Sequence, residues 1–132
     1  MTDRIRALVS ATLAFTTLLA TAALWRHPVA LIALVLAVGL GIFLLRPTRA
    51  SLVVYVVGFI FGPTAEAFGI HAGAWTYSNS DFLGIPIWLP FVWGNAALFI
   101  QNSADVASSV LARRLPPERR EADRQPVREP SA

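Results

Sequence analysis

The chain has no cysteine and no lysine, only two histidines, and just 14% charged residues among its 132. Without cysteine, disulfides, thiolate metal sites and cysteine nucleophiles are excluded. With His27 and His71 alone, a multi-histidine metal site within one chain is not expected, and no cofactor is expected either. No P-loop, G-x-S-x-G elbow, Rossmann fingerprint or H-E-x-x-H occurs, so nucleotide-driven or familiar hydrolase chemistry has no support. No basic stripe interleaves with aromatics, so nucleic acid is not an expected partner. Most of the net charge of +3 lies at the carboxyl end, where six of the 11 arginines fall in the last twenty positions. Basic residues that are all arginine fit a GC-rich bacterial genome.

What is present is apolar: 55% of the residues are hydrophobic, too many for a small soluble domain, which must cover its surface with charge. Four stretches approach the roughly 20 residues a helix needs to cross a bilayer core. They predict helices over about 7–25, 28–45, 51–70 and 85–107, making an all-α integral membrane four-helix bundle over 1–112. A secretory signal is the rival reading of the first, with Arg4 and Arg6 as its basic start. Its apolar run is longer than a signal core, and a second span follows after the short turn Arg26-His27-Pro28. Pro28 suits the first turn of a helix, where its missing N–H would be unpaired anyway. Residues 113–132, rich in proline and charge, have little to bury and are expected to be a disordered cytoplasmic tail.

Arg4 and Arg6, then Arg46 and Arg49, then Arg113 and Arg114 mark one side, while Arg26 stands alone on the other. Positive-inside counting places both termini and the second connection in the cytoplasm of a multi-pass plasma (inner) membrane protein. Four spans require both termini on one side, and the charges agree. The outward connection HAGAWTYSNSDFLG, with Trp75 and Tyr77, lies near Trp88 and Trp93. Such rings suit headgroup depth, the ordinary interfacial role of aromatics.

Glu66 is the carboxylate set within an apolar span, after an uncharged run from Ala50 to Ala65. An acid at bilayer depth costs roughly 2.5–3.5 kcal/mol, so such residues usually face the bundle interior. Gly58, Gly62 and Glu66 recur every four residues on one helix face, and the glycines form a G-x-x-x-G pair that admits a close neighbour. Pro63 between them predicts a kink near Phe59. These features describe a pocket wall; the alternative is a Glu66 near the helix end that reaches water. On the fourth span, Asn95, Asn102 and Asp105 fall within about 80° of one another. Interhelical hydrogen bonding accounts for Asn102 and Asp105, while Asn95 is also a candidate partner for a substrate. Ser10, Thr17 and Thr21 share a face of the first helix as packing groups. His71 could share a proton with Glu66, or be simply solvated; Asp81 is expected in a solvated or turn role.

The segment 58–93, GFIFGPTAEAFGIHAGAWTYSNSDFLGIPIWLPFVW, carries a late-helix glutamate, then G-x-x-x-G-x-W-x-Y and G-x-P-x-W-x-P-x-x-W. It resembles the central region of membrane carotenoid-biosynthesis proteins, the bacterial carotenoid hydratases and, more distantly, the small-subunit lycopene cyclases. The resemblance implies protonation of an isoprenoid double bond by an embedded acid, with the carbocation quenched by water or ring closure. It makes Glu66 the proton donor and Trp75, Tyr77, Trp88 and Trp93 the pocket lining. The chemistry is sound in general: acids removed from water stay protonated, and aromatic faces stabilise cations.

Three functions stay open on the sequence. The first is an isoprenoid-modifying enzyme or subunit, with Glu66 and His71 catalytic and Trp75, Tyr77, Trp88, Trp93 and Asn95 around the substrate. The second is a non-catalytic protein that binds membrane lipid or assembles, as a homodimer or within a larger membrane complex, through its G-x-x-x-G face. The third is a small transporter component built on Glu66 and Asn95.

Overall fold

A computed structural model describes residues 2–114. They form four helices: α1 (Asp3–Leu24), α2 (Pro28–Leu44), α3 (Arg49–His71) and α4 (Leu89–Arg114). The fold is all-α, with no strand among the described residues beyond one isolated bridge between Phe82 and Ile85. The expected tail beyond Arg114 lies outside the described residues.

Local chemistry sets the helix ends. The Thr2 hydroxyl accepts from the Ile5 N–H, and the Thr48 hydroxyl from the Ser51 N–H, each meeting an otherwise unpaired donor. Ser51 Oγ donates back to the Arg46 carbonyl at 2.8 Å. α2 has no side-chain cap but carries Pro28 in its first turn, where no donor is missed. α3 runs unbroken through Pro63 to His71 and is closed off by Gly73, whose φ of +77° only glycine adopts freely. There the Ala74 N–H bonds Gly69 O and the Gly73 N–H bonds Ile70 O, the pairing of a Schellman close.

α4 starts at Leu89, not near Ile85. Ile85 is tied back to Phe82 in a tight turn, and the Asp81 carboxylate accepts from the Ile87 N–H at 2.9 Å. Together they hold 81–88 out of the helix. At its other end α4 continues to Arg114, past the expected 107, because VASSVLARR contains nothing that breaks a helix.

α4 is the hub and packs against α1, α2 and α3. Ser10 pairs with Asn102 and Thr17 with Asn95, so α1 and α4 run antiparallel. α2 lies parallel to α4, with Leu31 and Val35 near Trp88 and Leu89, and Val38 and Ile42 around Leu98. α3 attaches through small residues. A Cβ on Gly58 would overlap Ala97 and the Trp93 carbonyl, one on Gly62 the Trp93 ring, and one on Gly94 the Tyr55 ring. The G-x-x-x-G groove is therefore filled from within the chain, by Trp93.

The core is apolar around Leu31, Val35, Ile42 and Leu98, and polar side chains are buried beside it. Ser10, Thr17, Ser51, Asn95 and Asn102 are buried, while Leu8, Phe15, Leu40, Phe61 and Phe68 stand well exposed. α1 and α3 are long and apolar enough to cross a membrane, and α2 is a shorter apolar helix. α4 is less apolar, and three of its polar side chains, Asn95, Asn102 and Asp105, find partners outside the helix.

Candidate functional site

The 72–88 connection folds over the end of the bundle where α3 finishes and α4 begins. The turn at Gly73 sends the chain back along α3 and lays the Trp75 indole across Gly69, where any Cβ would overlap the ring. Trp75 Nε1 then donates to Glu66 Oε2 at 2.9 Å. The Tyr77 hydroxyl lies within reach of the Glu66 charge, and its ring meets Trp88 edge-on, with centroids 6.3 Å apart. Burial first, then the charge of Glu66, push the Tyr77 hydroxyl up to about 12. Glu66 is half-buried and accepts from the Trp75 indole, so it fastens the aromatic connection to α3.

The other expected site residues disperse. Trp93 belongs to the α3–α4 seam, against Gly62. Asn95 is buried and directs its amide to the Thr17 hydroxyl at 3.2 Å and the Val35 carbonyl at 2.9 Å. Gly39 makes room for it, since a Cβ there would strike Asn95 Oδ1. No hydrogen bond joins Asn95 to Glu66 among the described residues, so the polar pair considered for a transporter is not formed as a contact. Asn102 reaches Ser10 Oγ at 3.4 Å, and Asp105 forms an ion pair with Arg46. Asp81 takes a turn role through Ile87.

His71 is exposed and lies on a different side of α3 from Glu66. It lines a cleft of about 720 Å³, with Pro63, Thr64, Ala67, Phe68 and Ile70 on one wall and residues 82–85 on the other. Neither Glu66 nor any of the four site aromatics lines it. Helical geometry explains the split, because 63, 67 and 70 share one stripe and 62, 66 and 69 the next, about 100° away.

Sequence reasoning misses this cleft, because its second wall is the turn Phe82-Leu83-Gly84-Ile85. Leu83 and Gly84 both hold positive φ, 53° and 80°, the pattern of a type I′ turn that usually takes Asn-Gly. Leucine in that region is strained by about 1–2 kcal/mol. Leu83 and Phe82 are also largely exposed, so the turn holds two apolar side chains at the lip of an apolar cleft. The Gly84 in DFLGIP is the sole local signal for it.

Among the described residues no group of three or more acids or histidines could hold a metal ion. The chain matches no family model, no curated protein and no solved structure.

Proposed function

We propose that this is a multi-pass integral membrane protein of four spanning helices that holds a lipid or isoprenoid chain in the cleft between α3 and the 82–85 turn. The observation that carries this reading is the cleft itself. Its volume of about 720 Å³ falls within the usual range of small-molecule sites, and its wall is apolar apart from Thr64 and His71. The membrane placement is supported by exposed leucine, valine and phenylalanine over the outer faces and buried Asn, Ser and Thr within. In lipid, polar side chains turn inward to bond across helices while apolar ones face the acyl chains. Arg4, Arg6, Arg46 and Arg49 share one end of the antiparallel bundle, which favours a cytoplasmic position for that end and both termini. The cleft then opens at the outer half of the bilayer.

A second reading keeps Glu66 as an acid, in line with the resemblance to carotenoid-biosynthesis proteins. It is favoured by the meeting of Glu66, Trp75, Tyr77 and Trp88 in one cluster. In that chemistry the carboxylic acid gives its proton to an isoprenoid double bond, and the cation left on carbon is quenched by water or ring closure. One experiment separates the two. A host with the gene deleted is complemented with wild type, Thr64→Trp or Glu66→Gln, and its lipid extract is analysed by mass spectrometry. Binding predicts that Thr64→Trp, which fills the cleft, behaves like the deletion while Glu66→Gln complements. Acid catalysis predicts that a well-expressed Glu66→Gln leaves an isoprenoid precursor uncleared. A lipid profile indifferent to deletion, in cells that make the protein, contradicts both.

A further inference from the structure

The cleft between α3 and the 82–85 turn has a direction. Its α3 wall runs from Pro63 to His71, which is about 12 Å along a helix axis. One leaflet of a bilayer offers about 15 Å of hydrocarbon, so a single chain lying beside α3 fills the cleft from end to end. Polar contact is confined to two side chains. Thr64, toward the deep end, gives its hydroxyl proton to the Ile60 carbonyl at 2.7 Å and has none left to donate. His71, in the last turn of α3, is exposed and stands at the outer end. An imidazole donates from one nitrogen and accepts at the other. The head of a bound lipid is therefore met at His71, with its chain running down past Ile70, Ala67 and Pro63.

The charges around that outer end decide what the head can be. Among the described residues no arginine lines the cleft, and residues 72–88 contain no basic residue. Arg26, at the α1–α2 turn, stacks over the Trp25 ring at 4.6 Å and lines no wall of the cleft. Two carboxylates, in contrast, adjoin its walls along the chain: Glu66 precedes Ala67, and Asp81 precedes Phe82. The carbonyl end of α3 adds partial negative charge at His71. A phosphate or carboxylate head would leave water to meet like charge with no arginine to pair it, and an unpaired charge is costly to desolvate. A hydroxyl head meets no such penalty and can both give a hydrogen bond to the imidazole and take one from it.

We propose that the cleft selects single-chain lipids with an uncharged hydroxyl head, hydrogen-bonded to His71, and turns away the phosphate-bearing lipids around it. This specifies the ligand of the lipid-holding cleft described above and rests on that reading.

The test is photolabelling of the full chain in phosphatidylcholine vesicles. Two probes carry the same diazirine-bearing acyl chain: a monoacylglycerol, and the lysophosphatidic acid that differs from it only by its phosphate. Labelled peptides are mapped and counted by mass spectrometry. On wild type the monoacylglycerol is expected to label 63–70 and 82–85 several-fold more than the lysophosphatidic acid does. His71→Leu keeps an apolar side chain and removes the hydrogen bonds, so it should lower monoacylglycerol labelling about fivefold, the order expected for one hydrogen bond. His71→Gln, which also donates and accepts, should restore most of it. His27→Leu changes the other histidine, also exposed and outside the cleft, and should label as wild type. Lysophosphatidic acid labelling the cleft as strongly as the monoacylglycerol, or more so, overturns the uncharged head. Unchanged labelling of His71→Leu, no recovery in His71→Gln, or an equal loss in His27→Leu overturns the placement of the head at His71. Each of these results leaves the cleft a lipid site and the proposed function standing. No label from either probe in these peptides, on protein that is reconstituted and helical, overturns both.

Discussion

Tyr77 is the side chain whose chemistry reports most directly on the Glu66 cluster. Its hydroxyl is raised to about 12 by burial and by Glu66, against about 10 in an unfolded chain. The folded protein therefore holds this proton more tightly than the unfolded one. The stabilisation is fully present below pH 10 and is lost as pH rises toward 12. The thermal midpoint in detergent should fall across that window in wild type and fall less in Tyr77→Phe. An identical slope in the two proteins would show that the hydroxyl is not engaged. Asn95 teaches a different lesson at the same scale. An amide in an apolar helix reads equally well as a ligand-binding group or as glue, and its partners decide. Here they are Thr17 and Val35, on two other helices, and neither is predictable from Asn95 itself. Glu66 was legible as a residue turned toward a neighbour by its glycine stripe. That the neighbour is a loop tryptophan follows from Gly69 and Gly73, whose meaning appears only when the chain turns back.

Among the elements, α1, α2 and α3 announce themselves as uninterrupted apolar runs, and the Thr2, Pro28 and Thr48 starts are ordinary helix signals. α4 is harder to bound, because Ile85 to Trp88 is apolar enough to continue the pattern. What keeps it out of the helix is a hydrogen bond from Ile87 to a side chain six residues earlier, Asp81, with no local signature. The 82–85 turn is the element that carries most functional weight in the proposed reading, since it forms one wall of the cleft. Its strain at Leu83 gives a two-sided prediction. Asn tolerates positive φ better than leucine, so Leu83→Asn should raise stability by about 1 kcal/mol. The same change removes an apolar side chain from the lip and should reduce lipid retained by the purified protein. A stability gain with unchanged retention would assign the turn a purely structural role; strain retained at a binding site predicts the gain together with reduced retention.

Over the whole molecule, the distribution of polarity is the main argument. Buried amides and hydroxyls on the α1–α4 seam, and bare leucines and phenylalanines outside, suit a hydrocarbon solvent. That α4 is the hub could not be read from the runs alone, since the G-x-x-x-G face on α3 invites a second chain as readily as an internal partner. Trp93 and Ala97 resolve this by occupying the glycine face. The absence of cysteine makes topology simple to test with single introduced thiols. Ser80→Cys in the aromatic connection should react with a membrane-impermeant maleimide in intact cells. Ala50→Cys, at the arginine-bearing end, should react only after permeabilisation. The reverse labelling would invert the orientation, and labelling of both in intact cells would remove the membrane placement.

The central claim, a lipid or isoprenoid chain held between α3 and the 82–85 turn, is tested most directly by what the protein carries with it. Wild type and Thr64→Trp, purified in parallel in mild detergent, would be extracted and their bound lipid counted per chain by mass spectrometry. The account predicts an enriched lipid or isoprenoid on wild type and at least a several-fold loss on Thr64→Trp, with helical content unchanged. Equal lipid on both proteins, or none above the detergent background on either, would contradict it.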